Sequence, residues 1–233
     1  MLGQRLYGTC TAYVTDAGGM HMLGRSESGL AWMSSNGGPL LLVPGELLLS
    51  WGGVCPPTDG QHIEATFRWD GPDSLACDYD RACDFVDSHL ALLEIGAGQG
   101  LVLGCDPMST AWWPMTSSDS PANGGGILIR WFYADSEADV IEAVQRIPEA
   151  AWIDDGLALV VEQAPLYLMD AASPGGELGE FDVLGIHEDH LKIHLSAGRY
   201  AIATAVVEPD AHTSLALHRL KPVSDDRAID SIE

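Results

Sequence analysis

The chain is cut into short apolar runs, most of them between three and eight residues long, and glycine, proline or aspartate bounds nearly every one. Runs of that length are too brief for ordinary helices and suit strands closed by tight turns. Residues 40–43 (Leu-Leu-Leu-Val) lie between Gly37-Gly38-Pro39 and Pro44-Gly45. Further runs cover 101–103, 127–133, 157–161, 166–169, 191–195, 200–207 and 214–220. Residues 62–69 alternate instead, with Ile63, Ala65, Phe67 and Trp69 on one side and His62, Glu64, Thr66 and Arg68 on the other, which predicts a half-buried strand. Turn signals stand at residues 123–126, at 174–176, at Ala197-Gly198 and at Pro209-Asp210. The last two are too short for a parallel crossover and predict antiparallel hairpins.

Two segments break this rhythm. Residues 78–95 place Tyr79, Cys83, Val86, Leu90 and Leu93 at helical spacing, with Asp80, Asp84, Asp87 and Glu94 opposite. A second helix is expected from Ser136, an N-cap with Asp139 three residues on, through Val140, Val144 and Ile147 to a stop at Pro148. Strands outnumbering helices in this order predict an α+β fold, mostly antiparallel β-sheet with two main helices. A weak echo among residues 38–44, 100–104 and 164–170, each a small-residue turn before an apolar strand, leaves open two similar β-rich halves or chance. The globular part is expected over 32–222, preceded by a flexible arm at 1–31 and followed by a polar tail at 223–233. The Gly-, Ser- and Thr-rich arm raises the alternative of a start at Met20, Met22 or Met33.

Charge limits the partners. The 233 residues carry 34 acids against 11 Lys and Arg, for a net charge of -23, yet 46% are hydrophobic. The apolar content excludes a disordered acidic tail. Nucleic acid and anionic membrane are disfavoured partners, because both are held through Lys and Arg. No run approaches the ~20 apolar residues of a membrane span, and residues 1–30 hold no uninterrupted apolar stretch of the kind a secretory signal needs. The five cysteines, Cys10, Cys55, Cys77, Cys83 and Cys105, lack C-x-x-C and zinc-finger spacing. A cytoplasmic protein with reduced thiols is the expectation.

Catalytic patterns do not emerge. His190 and His194 are expected on the outer face of a strand, about 13 Å apart, too far to share a zinc whose ligands each lie within ~2.1 Å. His218, in Leu-His-Arg-Leu, is expected to face solvent or an edge. Gly-x-Ser-x-Gly is absent, and Gly52-Gly53 and Gly124-Gly125-Gly126 lack the Lys-Ser/Thr of a phosphate loop. An EF-hand reading of Asp78-x-Asp80-x-x-x-Asp84 fails at its sixth position, Cys83, where glycine is required. The sequence therefore predicts no enzyme and no cofactor or metal.

What remains is acid in base-poor stretches. Residues 132–191 hold fourteen Asp and Glu and one base, Arg146; residues 70–126 hold nine acids and one base, Arg81. Helix dipoles account for Asp78, Asp80, Glu137 and Asp139 in first turns, but not for Asp84, Asp87 and Glu142. Such a face would steer a basic protein partner. The candidate contacts are Asp80, Asp84 and Asp87, then Glu137, Asp139 and Glu142, the Asp154-Asp155 turn, and Trp112 and Trp113 as an aromatic anchor or as core.

Several blocks resemble a known family. Residues 34–44 (Ser-Ser-Asn-Gly-Gly-Pro-Leu-Leu-Leu-Val-Pro), Trp51-Gly52, Asp78-Tyr-Asp-Arg-Ala-Cys83, Gly100-Leu-Val-Leu-Gly104 and Trp112-Trp113-Pro114 are similar to the bacterial Immunity protein 21 family. So are Arg130-Trp-Phe-Tyr-Ala-Asp135, Gly198-Arg-Tyr200, Glu208-Pro-Asp210 and Leu217-His-Arg-Leu220, so that the likeness spans roughly 32–222. The resemblance implies an immunity protein encoded beside a polymorphic toxin, which it neutralises by binding, and it carries no catalytic residues. With the acid surface, it points to occlusion of the active cleft of a cognate, basic toxin. The alternatives are a carboxylate-dependent hydrolase and an acidic scaffold with no toxin partner.

Overall fold

The computed structural model describes residues 30–35, 37–58, 61–85, 89–104, 109–115, 124–178 and 190–223. The expected arm up to residue 29, the tail beyond 223 and Asp87 lie outside the described residues. Among those described there are eleven strands: β1 (Trp32–Ser34), β2 (Leu40–Pro44), β3 (Leu90–Ile95), β4 (Gly98–Leu103), β5 (Ser109–Pro114), β6 (Gly126–Tyr133), β7 (Ile153–Val161), β8 (Leu166–Asp170), β9 (His190–Ile193), β10 (Gly198–Asp210) and β11 (Thr213–Pro222). Two α-helices, α1 (Asp78–Cys83) and α2 (Glu137–Arg146), and two 3-10 turns (Gly45–Ser50 and Glu149–Ala151) accompany them.

The strands form two sheets in the orders β1-β5-β6-β11-β10-β7 and β3-β4-β2-β8-β9. Every pairing is antiparallel. Alternation along the strands of the six-stranded sheet supplies two cores. Leu128, Leu159, Ile202 and Leu220 join β2, β4 and β8 in one cluster between the sheets. Ile127, Ile129, Leu215 and Leu217 point the other way and pack with Val140, Ala143 and Val144 of α2. Leu30 is buried in that second cluster. The fold is α+β and β-rich, as the punctuated runs predict.

In β2, residues 40–43 are all fully buried, so both faces of this central strand are covered. That explains a continuous apolar run where a one-sided strand would alternate. Each such side chain contributes roughly 1.5–3 kcal/mol. The echoing segments turn out to be β2, β4 and β8, three neighbours in one sheet. Their likeness reflects a shared, doubly covered environment, with no copy in the other sheet.

Four expectations need correction. The helix expected over 78–95 stops after Cys83, and its second half is β3. Leu93 and Ile95 point inward with Glu94 outward, and the strand pairs with β4 across the Gly96 turn, where φ is +56°. Cross-strand pairing has overridden a leucine-rich helical propensity. Residues 62–69 form no strand, and the apolar side chains Phe67 and Trp69 are exposed. The Ala197-Gly198 turn is no hairpin: β9 pairs with β8, while β10 belongs to the other sheet, so this turn crosses between sheets. The Pro209-Asp210 turn does close a hairpin, with Asp210 opposite Thr213.

The fourth correction concerns histidines. His194 is exposed, but His190 is buried beside the Tyr167 ring at 5.4 Å. His218 is completely buried, because both faces of β11 are covered and alternation no longer implies a wet side. Its Nδ1 lies 2.8 Å from Thr204 Oγ1, which donates to Asp155 Oδ2 at 2.7 Å. The hydroxyl has one proton, already given to the carboxylate, so His218 carries its proton on Nδ1. Burial, reinforced by Arg130 and His89, pushes the imidazole down to about 3, leaving it neutral.

Candidate partner-binding site

The acids expected on the first helix do not share an exposed face. Asp80 is buried and accepts backbone N–H bonds from Trp69 (2.8 Å) and Cys77 (3.0 Å). Asp84 accepts from the amides of Thr66 (2.7 Å) and Phe67 (2.8 Å) and from the Thr66 hydroxyl. Asp78, also buried, binds the Gly52 amide at 2.9 Å and Arg81 at 2.8 Å. These carboxylates hold loops; their charge is spent on amides. The sequence has no lysine partners for them because the backbone supplies the donors.

The second group of acids is arranged differently. Ser136 caps α2, accepting from the Asp139 amide at 3.3 Å and donating to its carboxylate at 2.6 Å. Glu137 takes the indole N–H of Trp32 at 2.8 Å and so ties β1 to the helix. Glu142 pairs with Arg146 one turn on. With its apolar stripe on the sheet, α2 leaves Asp139 and Glu142 beside the β10–β11 hairpin. Between them lies a groove of about 390 Å³, lined by Asp139, Glu142, Arg146, Val207, Glu208 and Asp210 among others. Four carboxylates meet one guanidinium there, over a floor that includes Ala143 and Ile147. Glu208 accepts from Ser214 Oγ at 3.2 Å, and Asp210 from the His212 amide at 2.7 Å.

A larger recess of about 670 Å³ near the β3–β4 turn carries Glu46, Glu94 and Glu162. Those three carboxylates make no side-chain hydrogen bonds among the described residues, whereas all four in the groove are held in place. Fixed charges lose less freedom when a partner binds, and the groove is the better-built cation site. The sequence marks Asp139 and Glu142 as contacts, whereas Pro209-Asp210 reads as a turn and Glu208-Pro-Asp210 as a family block, not as contacts. Its acids flanking a hairpin were the available signal.

The other candidates lie elsewhere. Asp154 and Asp155 occupy a bulge in β7 next to Gly156 (φ +69°), one strand from β10, where Asp154 accepts from the Gly156 amide and Asp155 from Thr204. Trp112 and Trp113 point to opposite faces of β5, the first packed on the inter-sheet core and the second on the α2 side. Both are half-buried and cannot act as one anchor. Among the described residues no three of His, Cys, Asp and Glu come together to hold a metal ion. No described helix is long and apolar enough to cross a membrane.

The family model described as Immunity protein 21 matches residues 31–213. The chain belongs to the Immunity protein 21 family. Comparison with curated proteins and with solved structures gave no match. The match to Immunity protein 21 begins just before β1 and ends at the first residue of β11, so it takes in β1 to β10, both helices and the residues that line the groove. Membership makes this an immunity protein family fold and implies a cognate toxin as its partner.

Proposed function

We propose that this chain is a cytoplasmic immunity protein that binds a basic toxin and covers its active cleft with the acidic groove between α2 and the β10–β11 hairpin. Family membership supports the role. The observation that carries the surface is four positioned carboxylates facing a single arginine over an apolar floor. A toxin cleft that handles a polyanionic substrate would present Lys and Arg, and their side chains would enter the groove and exchange water for fixed carboxylates. Long-range attraction of this kind acts chiefly on association.

The test is the association rate with the inactivated toxin encoded by the adjacent gene. Asp139→Lys combined with Glu142→Lys and Glu208→Lys should slow association by about tenfold to a hundredfold at low salt, and raised salt should narrow the gap. An association rate that is unchanged, with binding intact, would remove the groove from the interface.

A further inference from the structure

The segment that looked like a strand in the sequence is a built loop with its apolar residues turned outward. Asp80 takes the amides of Trp69 and Cys77, so one buried carboxylate closes both ends of the loop. Within it, Gly71 (φ +101°) accepts from the Ser74 amide at 3.1 Å and the Ser74 hydroxyl at 2.8 Å. On its approach, Asp84 fixes the amides of Thr66 and Phe67. Despite this bracing, Leu75 is 75% exposed, Trp69 55% and Phe67 40%. Trp69 makes a T-shaped contact with Tyr79, the ring centroids 6.5 Å apart and the planes at 84°. The exposed acids of the same stretch of chain are Glu64, Asp70 and Asp73, and Arg68 donates to the carbonyls of Ala65 and Phe67.

We propose that this loop is a second docking surface, on which Trp69, Phe67 and Leu75 receive a basic protein segment carrying Lys or Arg beside apolar side chains. The occupant follows from the chemistry. A half-exposed indole accepts both an aliphatic side chain and a cation over its face, and the exposed Glu64, Asp70 and Asp73 outnumber the one partly buried arginine of this stretch, Arg68. Pre-ordering by Asp80 and Asp84 means little loop freedom is lost on binding. Tryptophan is among the residues most enriched at interface hot spots. The partner's identity rests on the immunity reading: the segment belongs to the toxin, and the loop grips it while the groove steers it.

The two surfaces separate kinetically. With the inactivated toxin of the adjacent gene immobilised, Trp69→Ala should raise the dissociation rate about 30-fold, equivalent to about 2 kcal/mol, and change the association rate less than about threefold. Leu75→Ser, at an even more exposed position, should raise dissociation in the same direction without affecting folding. Asp70→Lys with Asp73→Lys should weaken binding in a salt-dependent way. If both apolar variants dissociate at the wild-type rate while the wild-type chain binds, the loop is not an interface, and the immunity reading stands. If the wild-type chain does not bind the toxin at all, that reading and this surface fall together.

Discussion

The buried imidazole of His218 makes the fold acid-sensitive by a calculable amount. In the folded chain it protonates only near pH 3, whereas in the unfolded chain it takes a proton near pH 6.5. Between those values the unfolded state binds the extra proton, so stability falls as pH falls through the window. The full difference is about 5 kcal/mol at 1.36 kcal/mol per unit of pKa. Some 3 kcal/mol of it, roughly, is lost between pH 7 and pH 4. That is a sizeable share of a typical 5–15 kcal/mol total. Urea unfolding at pH 7, 6, 5 and 4 measures it, with His218→Gln as the reference. The variant should start less stable, having lost the Thr204 contact, and should lose about 3 kcal/mol less than wild type on acidification. The carboxylates common to both proteins cancel in the comparison. Curves that stay parallel from pH 7 to pH 4 would refute a buried neutral His218, as would an imidazole NMR signal that titrates near pH 6.5 in the folded protein.

Other consequences are simpler. Asp80→Ala orphans the amides of Trp69 and Cys77 and should cost about 3 kcal/mol, with Asp80→Asn costing less because one acceptor oxygen survives; thermal unfolding checks both. Gly126→Ala would set a Cβ 2.2 Å from the Trp112 ring. It should destabilise by about 1–3 kcal/mol and alter tryptophan fluorescence, while an unchanged melting temperature would mean that β5 and β6 pack differently.

What could be read from the sequence divides by range. β2, β4, β6 and β8 were legible because glycine, proline or aspartate marks most of their ends and each carries a run of at least three consecutive apolar residues. β3 was not, because the same leucines fit a helix, and only the partner strand β4 decides against it. Residues 62–69 alternate as a strand should, yet no neighbouring strand is there to receive them. His218 was misplaced because period-two reasoning assumes one wet face, whereas α2 covers the Leu215 and Leu217 side of β11 and the second sheet covers the side that His218 shares with Leu220. At the groove, Asp139 and Glu142 were visible on α2, but Glu208 and Asp210 lie more than sixty residues away. Only the β10–β11 hairpin brings them together. Asp80 and Asp84 looked like free charge because the donors that hold them are backbone amides of the loop just before the helix, which no side-chain pattern reveals.

The decisive measurement is growth of cells induced for the toxin of the adjacent gene, with and without this chain. Protection by the wild-type chain, reduced by Asp139→Lys with Glu142→Lys and Glu208→Lys at equal expression, is the predicted result. Equal killing in the presence of soluble, folded wild-type chain would contradict it.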